Sequence, residues 1–470
     1  METALHGVSA ADPAALVETG RRVARGYLSM AAVQLLVGIA IGLAIALHYT
    51  PLTTVLEHAG LHLTVLRPLH TGATIGWIFF AGMAMVHRWM FQHLADRLAA
   101  GESDVARIAL GVARRADLQR WLWASAAGIA GIALLGGYST GREYFEYPPV
   151  LSIPIAVGWL LYAFNFAVVT RFRLRGMPVY AWMWGTSVFL FLWTFAEAHA
   201  WMLDVLADRP VRDLAIQWQA YGSFVGSFNL LVYGSVSWLG TQLSGDDRYS
   251  RSNMAFLLFL LGVLNSFTNY GHHTYHLPQS ELVKWVAFAI SMTEAIILMR
   301  VMWDCAGLGK KWAGRGRFPI VNALLVATTA WTGVQLTLAI LYSVPGLNTL
   351  IHGTLAVVAH SMGSLIGIDT MALLAAGAWL TRETLGESLG VARAGVRAVV
   401  ALNAGLAVLW LGLLGAGIPA GVRLVTQGVL PWAGTFPTWL GPVLMGAGLV
   451  MGGAVVVLVA PMVVRSSRAA

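Results

Sequence analysis

Long apolar stretches follow one another along the whole chain, and polar positions gather between them. Runs of about 20 apolar residues are what a helix needs to cross ~30 Å of hydrocarbon. The pattern predicts about twelve spans, over 24–48, 66–94, 118–138, 149–172, 178–204, 213–243, 254–275, 281–305, 318–344, 348–381, 393–418 and 436–463. The expected fold class is therefore all-α, a polytopic membrane protein forming one membrane domain over 1–470, with a polar N-terminal segment, 1–23. That segment lacks the basic-then-apolar order of a cleaved signal peptide.

Composition agrees with this reading. At 470 residues, 57% hydrophobic and 11% charged, the chain carries more apolar surface than a soluble fold of its length can bury. Charge then orients the spans. Arg21, Arg22 and Arg25 precede the first. Arg97, Arg107, Arg114 and Arg115 follow the second, and Arg171, Arg173 and Arg175 the fourth. Arg248 and Arg251 follow the sixth, Lys310, Lys311, Arg315 and Arg317 the eighth, Arg382, Arg393 and Arg397 the tenth, with Arg465 and Arg468 in the tail. With twelve spans all of these fall on one side, so the positive-inside rule places both termini, and segment 1–23, in the cytoplasm. The net charge of +8 reflects this bias and signals no nucleic-acid partner; membrane lipid is the expected surrounding.

Cysteine narrows the chemistry. Cys305 alone is present, which excludes an intramolecular disulfide, a CxxCH haem-c attachment and a two-cysteine copper centre. Ionisable groups at membrane depth are costly and mark function. His70 stands at the outer start of span two, in RPLHTGATIGW. His272 and His273 stand at the outer end of span seven, in NYGHHTYHLPQS, with His276 three residues on. His352 and His360 occupy the outer half of span ten, Glu197 and His199 the outer end of span five, and Glu294 lies within span eight. A single intramembrane histidine commonly does no more than hydrogen-bond a neighbouring helix, and a lone methionine commonly packs. His87 and His93 read as interfacial residues beside a basic loop. The remaining histidines, however, come from distant spans to one leaflet. His360 and Met362, two residues apart, point about 200° apart on a helix, so one helix can offer a ligand to each flank. An imidazole and a thioether both ligate haem iron. Adjacent histidines serve one metal only where the helix unwinds, which Gly271 and Pro278 permit.

These segments resemble the catalytic subunit of the haem–copper oxidase superfamily over nearly the whole chain. They are most similar to the large subunit of nitric oxide reductases, with cbb3-type oxidases second. RPLHTGA is similar to the span-two segment with a low-spin haem ligand. GREYFE (141–146) is similar to a reductase loop, GHHTYHLP to the span-seven metal-binding pair, and LNTLIHGTLAVVAHSM to the reductase stretch reading HGT, then AHGH.

The resemblance implies two haems b. His70 and Met362 would hold the low-spin haem, Met362 standing where the family has a histidine. His360 would hold the high-spin haem, and His352 would bond a propionate. His272 and His273 would bind a non-haem iron or copper, Glu294 would stand near that centre, and Glu143 would bind a calcium ion. The implied activity is reduction of a diatomic gas, nitric oxide to nitrous oxide, with oxygen reduction and nitric oxide dismutation as relatives. A cytochrome c, a donor subunit or quinol would supply electrons, in the cytoplasmic (inner) membrane of a bacterium. Span six departs from the family: it carries neither the third metal-binding histidine nor the reductase glutamate, and Gly222 or Ser223 stands in the histidine's place. His276 could fill that place, or Glu197 or His199, or no second metal binds. The last case describes a haem-binding electron-transfer or sensor protein.

Overall fold

The computed structural model describes residues 12–207, 209–297, 299–300, 318–385, 389–429 and 436–464. Helices dominate them, and no strand occurs among the described residues. The membrane helices are α1 (Pro13–Leu47), α2 (Leu63–Ala99), α3 (Val105–Leu135), α4 (Ser152–Thr170), α5 (Val179–Ala198) and α6 (Pro210–Ser244). They continue with α7 (Asn253–Thr268), α8 (Glu281–Ser291), α9 (Pro319–Ser343), α10, α11 (Leu389–Gln427) and α12 (Leu440–Val464). Helix α10 has three parts: Leu355–Ser364, a π-helical turn Leu365–Thr370, and Met371–Leu385.

Eleven of the expected spans coincide with a long helix, and span eight is helical over Glu281–Ser291 before it runs beyond the described residues. Among the described residues, ten helices are long and apolar enough to cross a membrane. Helix α6 is 35 residues long but more polar, carrying Gln217, Gln219 and several serines. The end of span eight, with Cys305 and the basic positions 310–317, lies outside the described residues, as do Arg465 and Arg468.

The helices close into one bundle. α1 packs along α2 and against α12, α12 along α11, and α11 against the outer part of α10; α5 packs along α6, and α3 along α4. Helix α2 is the innermost, with 67% of its apolar window buried. Its buried face stacks Trp77, Phe79, Phe80 and Trp89 against Trp123, Trp159, Trp184 and Phe191. Large apolar side chains such as Ile132, Leu160, Leu260, Val326, Val400 and Leu411 point outwards, as a lipid-facing surface requires.

Two close approaches position the outer end of α10. Gly417 and Gly421 of α11 leave no room for a Cβ: one at 417 would overlap the Ala356 nitrogen, and one at 421 the Leu350 carbonyl. This small-xxx-small spacing lets backbones touch, as helices in lipid do. Gly421→Val forces the turn bearing His352 outwards. It should cost roughly 1–3 kcal/mol, read as a lower thermal midpoint of the purified protein in detergent. Opposite, Gly363 and Gly367 of α10 receive Gln335 and Trp331 of α9 against bare backbone.

Candidate functional site

Three connections bring the histidines together. After α7 the chain tightens into a 3-10 turn, Asn269–Thr274, so the helix does unwind at the adjacent pair. The His272 and His273 ring centroids lie 4.2 Å apart, tilted by 38°. Tyr275 anchors the following loop by donating its hydroxyl to the Ser343 carbonyl (3.0 Å), and Gln279 donates to the Thr274 carbonyl (2.8 Å). His276 thereby meets His352, in the turn before α10, with centroids 4.1 Å apart. Thr354 caps α10 by accepting from the Ala356 amide at 3.1 Å, which sets where the helix starts. Trp218 of α6 completes the ladder: it lies parallel to His273 (4.8 Å, 4°) and 6.4 Å from His352.

Among the described residues the rings of His273, His276 and His352 have ring contacts but no hydrogen-bond partner. Imidazole nitrogens left without hydrogen bonds inside a protein fit a site that takes a ligand. His272 differs, since its Nδ1 lies 3.4 Å from Ser291 Oγ on α8. Glu294 is buried one turn beyond Ser291.

His360 and Met362 sit on the regular outer helix of α10 and face opposite flanks, as their spacing requires. His360 faces α9, with Nδ1 3.1 Å from the Gln335 amide and its ring 5.8 Å from Tyr342. Met362 packs into the cluster of Ala46, Leu413 and Leu444, where α1, α11 and α12 meet. On α2, His70 turns to α1 at Gly38 and Gly42. Its Nδ1 lies 2.8 Å from the Gly38 carbonyl, which only accepts, so Nδ1 holds the proton and Nε2 keeps its lone pair. That is the tautomer of an Nε2 iron ligand. Gly42 leaves the ring its space; a Cβ there would stand 3.0 Å from Cε1. An imidazole presenting Nε2 and a thioether are both ligand types that suit a haem iron.

The span-five groups lie elsewhere. His199 is engaged at both nitrogens, Nε2 with Ser152 Oγ and Nδ1 with the Phe195 carbonyl, each at 2.8 Å. Glu197 lines a small pocket with Arg142, Asp213 and Gln217, and its Oε2 is buried without a hydrogen-bond partner. In α6, Gly222 packs on α7 near the Ser266 carbonyl, and a Cβ on Gly226 would fall on the Ser266 side chain. Among the described residues no three His, Cys, Asp or Glu side chains gather as a metal ion needs. The donor set at His272 and His273 is two imidazoles beside an indole, a weak set for iron or copper.

The loop 141–146 holds Arg67 between two carboxylates, Glu143 at 3.5 Å and Glu146 at 3.0 Å. Burial pushes the Glu146 carboxyl up to about 7, against the opposing pull of Arg67. In this arrangement the two acids are paired with a guanidinium.

Three features escape the sequence reading. His87 is fully buried against Tyr27 in the core rather than interfacial. Asp369 is 2% exposed in the π-turn, with Oδ1 lacking a hydrogen-bond partner; an acid within span ten was the available signal. Gln335 carried no signal at all.

Comparison with known proteins agrees with the architecture. The family model for cytochrome c and quinol oxidase polypeptide I matches residues 22–449. No curated protein matches the sequence. Among solved structures, the chain is similar to a heme-copper terminal oxidase dimer determined by cryo-EM, with a TM-score of 0.65 at 12% identity, covering 95% of this chain and 84% of that one. At that identity the likeness is one of fold. From the family match, this multi-pass helical membrane protein belongs to the cytochrome c and quinol oxidase polypeptide I family, whose members are haem-containing oxidoreductases.

Proposed function

We propose that the chain is the catalytic subunit of a nitric oxide reductase-like enzyme, converting two NO, two electrons and two protons to N2O and water. The observation that carries this reading is the convergence of His272, His273, His276 and His352 at the outer ends of α7 and α10, one helix turn or two from His360. His70 and Met362 would hold the low-spin haem, and His360 would hold the high-spin haem. His352 would bond a propionate, and Glu294, buried one turn beyond Ser291, is the acid of α8 assigned to that centre. When bound, the haem iron supplies the electron and the open coordination position for the gas. The residues around it exclude water and hold the ligating rings. A cytochrome c or quinol delivers electrons, since the chain has no haem-c attachment motif of its own. The arginine asymmetry supports a topology with both termini in the cytoplasm; in a bacterial inner membrane, a periplasm-dependent reporter fused to the C-terminus should stay silent, and an active fusion would refute this topology.

A second reading rests on α6. With Gly222 and Gly226 packed on α7, and Trp218 stacked on His273, that helix brings no acid or imidazole to the metal pair. A haem-only electron-transfer or sensor protein would look like this. Metal analysis of the purified protein separates the two: two haems b plus one iron or copper per chain supports the reductase, and two haems without a further metal supports the second reading.

A further inference from the structure

The Gln335 amide touches three groups. One of its two terminal atoms lies 3.1 Å from both His360 Nδ1 and the His360 backbone carbonyl, and the other lies 3.0 Å from Trp410 Nε1. An indole N–H only donates and a backbone carbonyl only accepts. The amide oxygen therefore faces Trp410, and the NH2 faces His360. The residue is 1% exposed, and Gly363 makes its place, since any Cβ at 363 would overlap the amide.

This arrangement has a consequence for His360. With the NH2 pointing at Nδ1, that nitrogen must accept, so the neutral ring carries its proton on Nε2. An iron ligand needs the reverse, with the lone pair on Nε2 and the proton on Nδ1. We propose that Gln335 is the positioning residue of His360, and that its amide turns over when Nε2 takes iron, giving up its bonds to Trp410 and to the His360 carbonyl for one from His360 Nδ1–H. Trp410 and that carbonyl then oppose ligation, and Gln335 sets the strength of the iron–histidine bond. The inference rests on His360 being the high-spin haem ligand.

Three variants test it, read by resonance Raman of the iron–histidine stretch in the reduced protein, with haem content measured alongside. Gln335→Glu, when ionised, offers only acceptors and takes the Nδ1 proton and the Trp410 proton together; the stretch should rise in frequency. Trp410→Phe removes one of the two bonds that hold the amide in its unligated orientation and should move the stretch the same way by a smaller amount, without placing a charge in the membrane. Gln335→Leu leaves Nδ1 without an acceptor; it should lower the frequency and weaken haem retention by roughly 10- to 100-fold. A stretch that is the same as in the unaltered protein in Trp410→Phe and Gln335→Leu overturns the proposal. If His360→Ala keeps a high-spin haem, the ligand assignment fails instead, and the two failures are thereby told apart.

Discussion

Replacing His360 with alanine should remove the high-spin haem, leave about half of the pigment, and reduce gas turnover to background. Replacing His70 should remove the other haem and spare the ferrous–CO spectrum of the first. The argument is geometric. His360 is bonded to Gln335 of α9 and His70 to Gly38 of α1, so the two rings share no partner and neither change removes the support of the other. Each imidazole is held by one hydrogen bond at Nδ1, and each would contribute a coordinate bond through Nε2. Removing the ring removes the bond outright, whereas removing the group behind it only weakens it. Pyridine haemochrome content and CO difference spectra check both variants. Full haem content and unaltered bands in both would show that these histidines hold no haem.

Exchanging Met362 for histidine should lower the potential of the low-spin haem by on the order of 0.2 V, within the roughly 0.8 V that axial ligands command. A thioether favours reduced iron and an imidazole favours oxidised iron. Met362 is half-buried among Ala46, Leu413 and Leu444, in a setting that also suits simple packing. Met362→Leu therefore belongs in the same experiment: similar volume makes it mild for packing, below about 1.5 kcal/mol. If the sulfur ligates, leucine abolishes the long-wavelength charge-transfer band of the oxidised haem, and histidine replaces it with a bis-imidazole spectrum. A leucine variant with the original band and potential would place Met362 in the packing only.

The spans were legible because hydrocarbon thickness imposes one length on every helix, and the loop arginines mark alternate ends. Even α6, more polar than the rest, was among the expected spans, at 213–243. The spacing of His360 and Met362 predicted their opposite flanks, because a regular helix leaves no other choice. The turn at His272 and His273 was legible from Gly271 and Pro278. Pairings across helices were not. Trp218 on His273 and His276 against His352 depend on how connections fold back, and no local pattern encodes that. Gln335 illustrates the limit: a single amide on an apolar helix says nothing until Gly363, Trp410 and His360 surround it. The interfacial reading of His87 failed for a related reason, since depth along a helix does not reveal which face the bundle covers.

The π-turn Leu365–Thr370 bears on how chains of this kind are to be compared. A π-turn holds extra residues without breaking the helix. The outer part of α10 is fixed by Gln335 and the Met362 cluster, the inner part by its packing on α9 and α6. Deleting one residue elsewhere in α10 would rotate one part against the other by about 100°. Within 365–370 the same deletion is absorbed as the turn tightens to an ordinary helix. Relatives can thus differ in length by one residue here and keep the same ligands in the same places. An alignment anchored on the inner half would shift His360 and Met362 out of register, so matching should start from the outer half.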